Sequence, residues 1–115
     1  MAMKTRDRKD LFPGALELMV LQSLRQEARH GYALAQHIKR ASNELLHVEE
    51  GSLYPALQRM LRNGWVKARW ATSASGRRVR LYELTASGRA HLAQEVSSFE
   101  RMIEGVRLVL APVKP

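Results

Sequence analysis

Six polar residues between positions 52 and 63 stand at helical spacing: Ser52, Tyr54, Gln58, Arg59, Arg62 and Asn63. They oppose Leu53, Ala56, Leu57, Met60 and Leu61, whose i, i+3, i+4, i+7, i+8 pattern marks one apolar helix face. Tyr54, Gln58 and Arg62 are four residues apart and fall along one line of the polar face. Gln and Arg in such a row can pair with adenine and guanine edges in a major groove. The hydroxyls of Ser52 and Tyr54, and amides at a helix start, suit phosphate oxygens. Arg77 and Arg78 form a second group, directly after the stretch Thr72-Ser73-Ala74-Ser75-Gly76. Guanidiniums on such a turn suit phosphate or a narrow minor groove.

The charge distribution points the same way. The 115-residue chain has a formal net charge of +8. No acidic residue lies between Glu50 and Glu83, whereas seven basic ones do: Arg59, Arg62, Lys67, Arg69, Arg77, Arg78 and Arg80. A single-sign field of this kind expects a polyanionic partner, with a solvated basic face as the plain alternative. Enzyme chemistry finds no support: there is no nucleophile elbow, phosphate loop or metal spacing. The four histidines, His30, His37, His47 and His91, form no metal-ligand pattern, and without cysteine there is neither a disulfide nor a thiolate site. His47-Val48-Glu49 has the H-x-E of zinc deaminases but lacks their cysteine pair. No metal and no cofactor are expected. No apolar run approaches the ~20 residues that cross a bilayer, and the charged start lacks a secretory h-region. A cytoplasmic protein with no membrane partner is expected.

These groups need elements to hold them. Residues 1–12 read as a flexible basic arm. Pro13 and Gly14 open a first helix with Leu16, Leu18, Val20, Leu21 and Leu24 on a wide apolar arc, ending near Ala28. Arg29, His30 and Gly31 read as a tight connection. A second helix covers Gly31 to Ser42, with Leu34, Ile38 and Ala41 inward; Leu45, Leu46 and Val48 form an apolar connector. The third helix starts at Gly51 or Ser52 as cap, with Pro55 in its first turn, and stops at Gly64. Trp65 to Trp70 and Val79 to Leu84 alternate as two strands of a hairpin. A last helix runs from Thr85 or Ala86 to about Leu110. Its apolar positions Leu92, Val96, Phe99, Ile103, Val106 and Leu110 step by four, three, four, three, four, a heptad seam that expects a partner helix. The expected class is mainly α (α+β): a winged helix-turn-helix over residues 13–85, with three N-terminal helices and a two-stranded wing, then a dimerisation helix over 86–111. Trp65 and Trp70 read as core and wing packing.

Four segments resemble the PadR family. His30-Gly31-Tyr32 resembles its HGY element, and Gly51-Ser52-Leu53-Tyr54-Pro55-Ala56-Leu57 its recognition-helix motif. Gly64-Trp65-Val66 resembles its wing entry, and Tyr82-Glu83-Leu84-Thr85-Ala86-Ser87-Gly88 its Y-x-L-T-x-x-G exit. They occur in family order across roughly Gly14 to Val109, and the short C-terminus resembles the subfamily with a single dimerising helix. The resemblance implies a DNA-binding transcriptional regulator, usually a repressor, that binds a palindromic operator on double-stranded DNA as a homodimer. It implies DNA-backbone contacts for Tyr32 and Tyr54, although Tyr32 could instead simply pack its ring. Residues expected to face DNA are then Tyr32, Ser52, Tyr54, Pro55, Gln58, Arg59, Arg62, Arg77 and Arg78. The resemblance also implies control by a small hydrophobic or phenolic effector. Trp70, Phe99 and Met102 are the apolar groups expected to line its pocket, with plain dimer core as the alternative for Phe99 and Met102. A winged helix used as a protein-binding adaptor is the remaining alternative; it predicts no salt-sensitive DNA binding.

Overall fold

A computed structural model describes residues 14–113. The arm expected over residues 1–12, and Pro13, lie outside the described residues. Four helices and three strands follow in the order α1 (Ala15–Gln26), β1 (Arg29–His30), α2 (Gly31–Ala41), α3 (Glu50–Arg62), β2 (Val66–Thr72), β3 (Arg78–Leu84) and α4 (Ala86–Leu110).

The three N-terminal helices close around one core. Val20, Leu21 and Leu24 of α1 meet Leu34 and Ile38 of α2, and Leu53, Ala56, Leu57 and Met60 of α3. These are the apolar stripes of the sequence, except that Ala41 ends up exposed and Leu16, Leu18 and Leu61 half-buried. In the connector after α2, Leu46 and Val48 pack on the core while Leu45 points to solvent.

Arg29 and His30 are not merely a connection. They form a short strand antiparallel to β3, pairing with Tyr82 and Leu81, so the sheet has three strands in the order β1-β3-β2. Two residues without alternation carry no strand signal; the pairing arises because β3 passes beside them. The hairpin itself is longer than its alternating residues suggested, with Ala71 and Thr72 continuing β2 opposite Val79 and Arg78. Its tip is closed rather than loose: the Ser73 amide donates to the Arg77 carbonyl at 2.8 Å and the Gly76 amide to the Ser73 carbonyl at 2.9 Å. Ser73 Oγ also accepts from the Arg77 amide at 3.2 Å.

Helix α3 begins at Glu50, with Glu49 as its N-cap residue, so neither Gly51 nor Ser52 caps it. Pro55 consequently sits inside the helix rather than in its first turn. Its missing amide would have served the Gly51 carbonyl. At the other end the Trp65 amide reaches the Met60 carbonyl at 3.0 Å and the Gly64 amide the Leu61 carbonyl at 3.1 Å. With Gly64 at φ +76°, this is a Schellman termination that turns the chain sharply into β2.

The start of α4 is bolted to that turn. Thr85 Oγ1 accepts from the Gly88 amide at 3.0 Å and donates toward the Gly64 carbonyl at 2.6 Å and the Trp65 carbonyl at 3.0 Å. Ser87 Oγ donates to the Gly64 carbonyl at 3.0 Å. Gly88 lies so close to the Trp65 carbonyl that no Cβ fits. One turn on, His91 stacks on Trp65, ring centroids 3.5 Å apart and planes 10° from parallel.

The heptad seam divides. Leu92 is buried in its own chain's core, so it is not available to a partner, and Val96 is half-buried against the same core. Helix α4 leans on α1 over this first part, and intramolecular packing takes those positions. Phe99 and Ile103 are half-buried, and Val106 and Leu110 are exposed.

Candidate nucleic-acid interface

The start of α2, the start of α3 and the inner face of the wing meet in one cleft. It encloses about 470 Å³ and is lined by His30, Gly31, Tyr32, Tyr54, Ser73, Ser75, Arg77, Arg78, Val79, Arg80 and Tyr82. Each wall is set by a local feature. His30 is the N-cap of α2: its Nδ1 accepts from the Ala33 amide at 3.4 Å, while its backbone is held by Leu81. The positive end of the α2 dipole is thereby fixed at the cleft. Tyr32 projects from it, 61% exposed. Tyr54, 42% exposed, lies over Gly31: a Cβ there would sit 2.6 Å from the phenol oxygen. With no side chain at Gly31 the Tyr54 ring can lie directly against the start of α2, which ties the HGY segment to the recognition helix.

Tyr82 forms the floor. It is buried, and burial pushes its hydroxyl above the usual tyrosine range; Arg80 opposes that shift and Tyr54 adds to it. A neutral hydroxyl is therefore retained between two other tyrosines and the wing arginines.

The cations of the basic stretch separate into two sets. Glu83, on the outer face of the wing, takes Arg69 at 3.5 Å and Lys67 at 4.0 Å. Glu17 of α1 takes Arg59 at 3.1 Å, which turns Arg59 back along its own domain and away from the cleft. Such exposed pairs are worth at most ~1 kcal/mol, so Arg59 is tethered rather than locked. Among the described residues, no carboxylate pairs with Arg62, Arg77, Arg78 or Arg80. Ser52, Pro55, Gln58 and Arg62 are all exposed, outside the cleft, on the solvent face of α3.

Tyr32, Tyr54, Arg77 and Arg78 thus come together. Arg80, His30, Ser73 and Ser75 join them without having been expected. Arg80 carried a readable signal, since strand alternation from Arg78 puts both on one face; Ser73 and Ser75 carried none. Trp70 stands on the wing under Arg78 and Arg80, with guanidinium carbons 4.6 and 5.6 Å from the ring centroid. Phe99 and Met102 lie on α4, and neither they nor Trp70 line this cleft or the grooves beside α4.

Helix starts, exposed phenols and unpaired guanidiniums around a concave surface suit an anionic backbone. The model of the transcriptional regulator PadR-like family matches residues 20–94, which span α1 to the first turns of α4. The chain belongs to this family. As a PadR-like protein it is a DNA-binding transcriptional regulator, built on the winged helix-turn-helix. Its chain is 25% identical over 103 residues to an uncharacterized protein of Lysinibacillus sphaericus, covering 90% of this chain and 94% of that one. The fold is similar to a transcriptional regulator from Clostridium thermocellum, with a TM-score of 0.79, 22% identity, and 86% and 96% of the two chains covered. It is similar also to a PadR-like transcription factor from Bacteroides fragilis, with a TM-score of 0.68, 28% identity, and 95% and 99% covered. Among the described residues no helix is long and apolar enough to cross a membrane, and no group of three metal-ligating side chains occurs.

Proposed function

We propose that this PadR-like regulator is a homodimeric, cytoplasmic repressor that reads a palindromic operator. The observation that carries the reading is the convergence of Tyr32, Tyr54, Arg77, Arg78 and Arg80 on one cleft beside the exposed row Gln58–Arg62. The cleft grips backbone, and Gln58 and Arg62 read base edges. The family resemblance supports the repressor role.

Dimerisation is assigned to the later part of α4, from Val96 through Phe99, Ile103, Val106 and Leu110. Val96 borders a cavity on each flank of the helix, about 370 Å³ toward α1 and α2 and about 490 Å³ toward Arg25 and Arg89. Two protomers joined there would carry their recognition helices to half-sites about 34 Å apart. A small hydrophobic effector is proposed to act between protomers, near Phe99 and Met102. It releases the operator only if it binds the DNA-free form more tightly.

A genome-wide footprint of the bound protein tests the reading, and inverted repeats under its peaks are expected. Arg77→Ala should weaken binding to all duplexes alike and lower the slope of log affinity against log salt by about one unit per bound protomer. Footprints without symmetry would overturn the palindromic operator, and an absence of salt-sensitive DNA binding would leave the adaptor reading in its place.

A further inference from the structure

The wing carries an arrangement that DNA contact alone does not explain. Arg78 and Arg80 alternate onto one face of β3, and Trp70 of β2 is paired directly with Arg80 on the same face. Two like charges therefore sit side by side, and among the described residues no carboxylate pairs with either. The nearest acid on the hairpin, Glu83, alternates onto the other face and is occupied by Lys67 and Arg69. What faces the two guanidiniums is the indole of Trp70, 57% exposed, with Arg78 at 4.6 Å and Arg80 at 5.6 Å from its centroid. An indole this exposed adds little to a core. Its negative π-face attracts a guanidinium. Stacking engages only the face of the guanidinium and leaves the in-plane N–H donors free for phosphate oxygens.

We propose that Trp70 is a positioning residue for DNA contact: it holds the Arg78 and Arg80 guanidiniums stacked and oriented toward the cleft before DNA arrives. The inference rests on the wing acting as a phosphate contact. It gives the wing a pre-organised cationic edge in place of two freely rotating chains, so less rotamer freedom is lost on binding.

The test uses the full-length protein, a labelled mixed-sequence duplex, and fluorescence anisotropy over a salt series. Trp70→Leu keeps bulk and removes the π-face. It should weaken binding about fivefold, the size expected of exposed cation–π pairs. The salt slope should stay unchanged, because both charges remain. Arg78→Ala/Arg80→Ala should lower the slope by about two units per bound protomer. Adding Trp70→Leu to that double variant should cost nothing more, and Trp70→Phe should restore most of the affinity lost in Trp70→Leu. A Trp70→Leu protein that binds as the parent does, or that loses as much without the arginines as with them, overturns the proposal.

A second measurement holds even if the leucine variant folds poorly. The chain has two tryptophans, so Trp65→Phe leaves Trp70 as the sole indole. Its emission should shift, and its quenching by acrylamide should rise, when Arg78 and Arg80 become alanine. Identical spectra overturn the stacking. If the parent protein fails to bind duplex at low salt while the spectra do shift, the interface reading fails and the positioning role fails with it, although the stacking stands.

Discussion

Gly31→Ala should separate DNA binding from folding. The new Cβ would lie 2.6 Å from Tyr54 Oη and 2.9 Å from Cε1 and Cζ, whereas ordinary contact begins at 3.4 Å. The phenol must therefore retreat by about 0.8 Å, and it is free to do so because its outer side is open to solvent. The backbone tolerates the change: Gly31 opens α2, and alanine is favoured over glycine in helices by up to ~1 kcal/mol. Stability should hold or rise slightly. A hydroxyl placed at about 2.7 Å from a phosphate oxygen tolerates little displacement, so a shift of about 0.8 Å takes it out of hydrogen-bonding geometry. A hydrogen bond to a charged partner contributes about 1.5–3 kcal/mol, so affinity should fall roughly ten- to a hundredfold per protomer. Anisotropy titrations and a thermal melt on the same sample measure both quantities. Tyr54→Phe should show the same loss, and the double variant no more than either. A Gly31→Ala protein with unchanged melting and unchanged affinity refutes the phosphate role of Tyr54. A lowered melting temperature would instead show the phenol to be clamped in place by the fold.

Three further outcomes are expected. Gly88→Ala drives a Cβ into the Trp65 backbone carbonyl, where no side-chain rotation gives relief; it should cost about 2–3 kcal/mol and lower the melting temperature by roughly 10 °C, read by circular dichroism. Phe99→Asp with Ile103→Asp should give monomers in sedimentation, with Leu92 and the helical core retained; a persistent dimer would move the interface elsewhere. His37 is held below its ordinary value of 6.5 by burial first, then by Arg29 and Arg40, with Glu27 opposing. The unfolded chain thus takes up that proton more readily than the native one, so stability falls as pH drops through 6.5. His37→Gln should flatten the dependence of the urea midpoint on pH in that window, and parallel curves would remove His37 as the cause.

The sequence spoke clearly where one residue's neighbours repeat at a fixed period. The stripes Val20–Leu24, Leu34–Ile38 and Leu53–Met60 are the core, and the polar row Tyr54, Gln58, Arg62 remains outside it. It spoke less clearly where a partner far along the chain decides. Arg29 and His30 become a strand only because β3 runs beside them. Leu92 leaves the seam because α1 covers it, and Arg59 leaves the cleft side because Glu17, 42 positions earlier, captures it. Glycines sit between these cases. Gly64 was legible as a helix stop, but that Gly31 accommodates Tyr54 and Gly88 the Trp65 carbonyl depends on packing between elements.

The junction of Thr85, Ser87 and Gly88 with Gly64 and Trp65 makes the exit of the recognition helix and the root of α4 a single joint. From that joint α4 extends for 25 residues, about 37 Å at 1.5 Å per residue. It works as a boom. A swing of about 5° at the root carries its tip by about 3 Å, close to the 3.4 Å rise of one base step. In the proposed dimer the gearing runs both ways. A slight shear where two booms cross becomes a whole-base-pair error between the reading heads, so a compound seated there need only nudge the crossing for the operator to fall out of register.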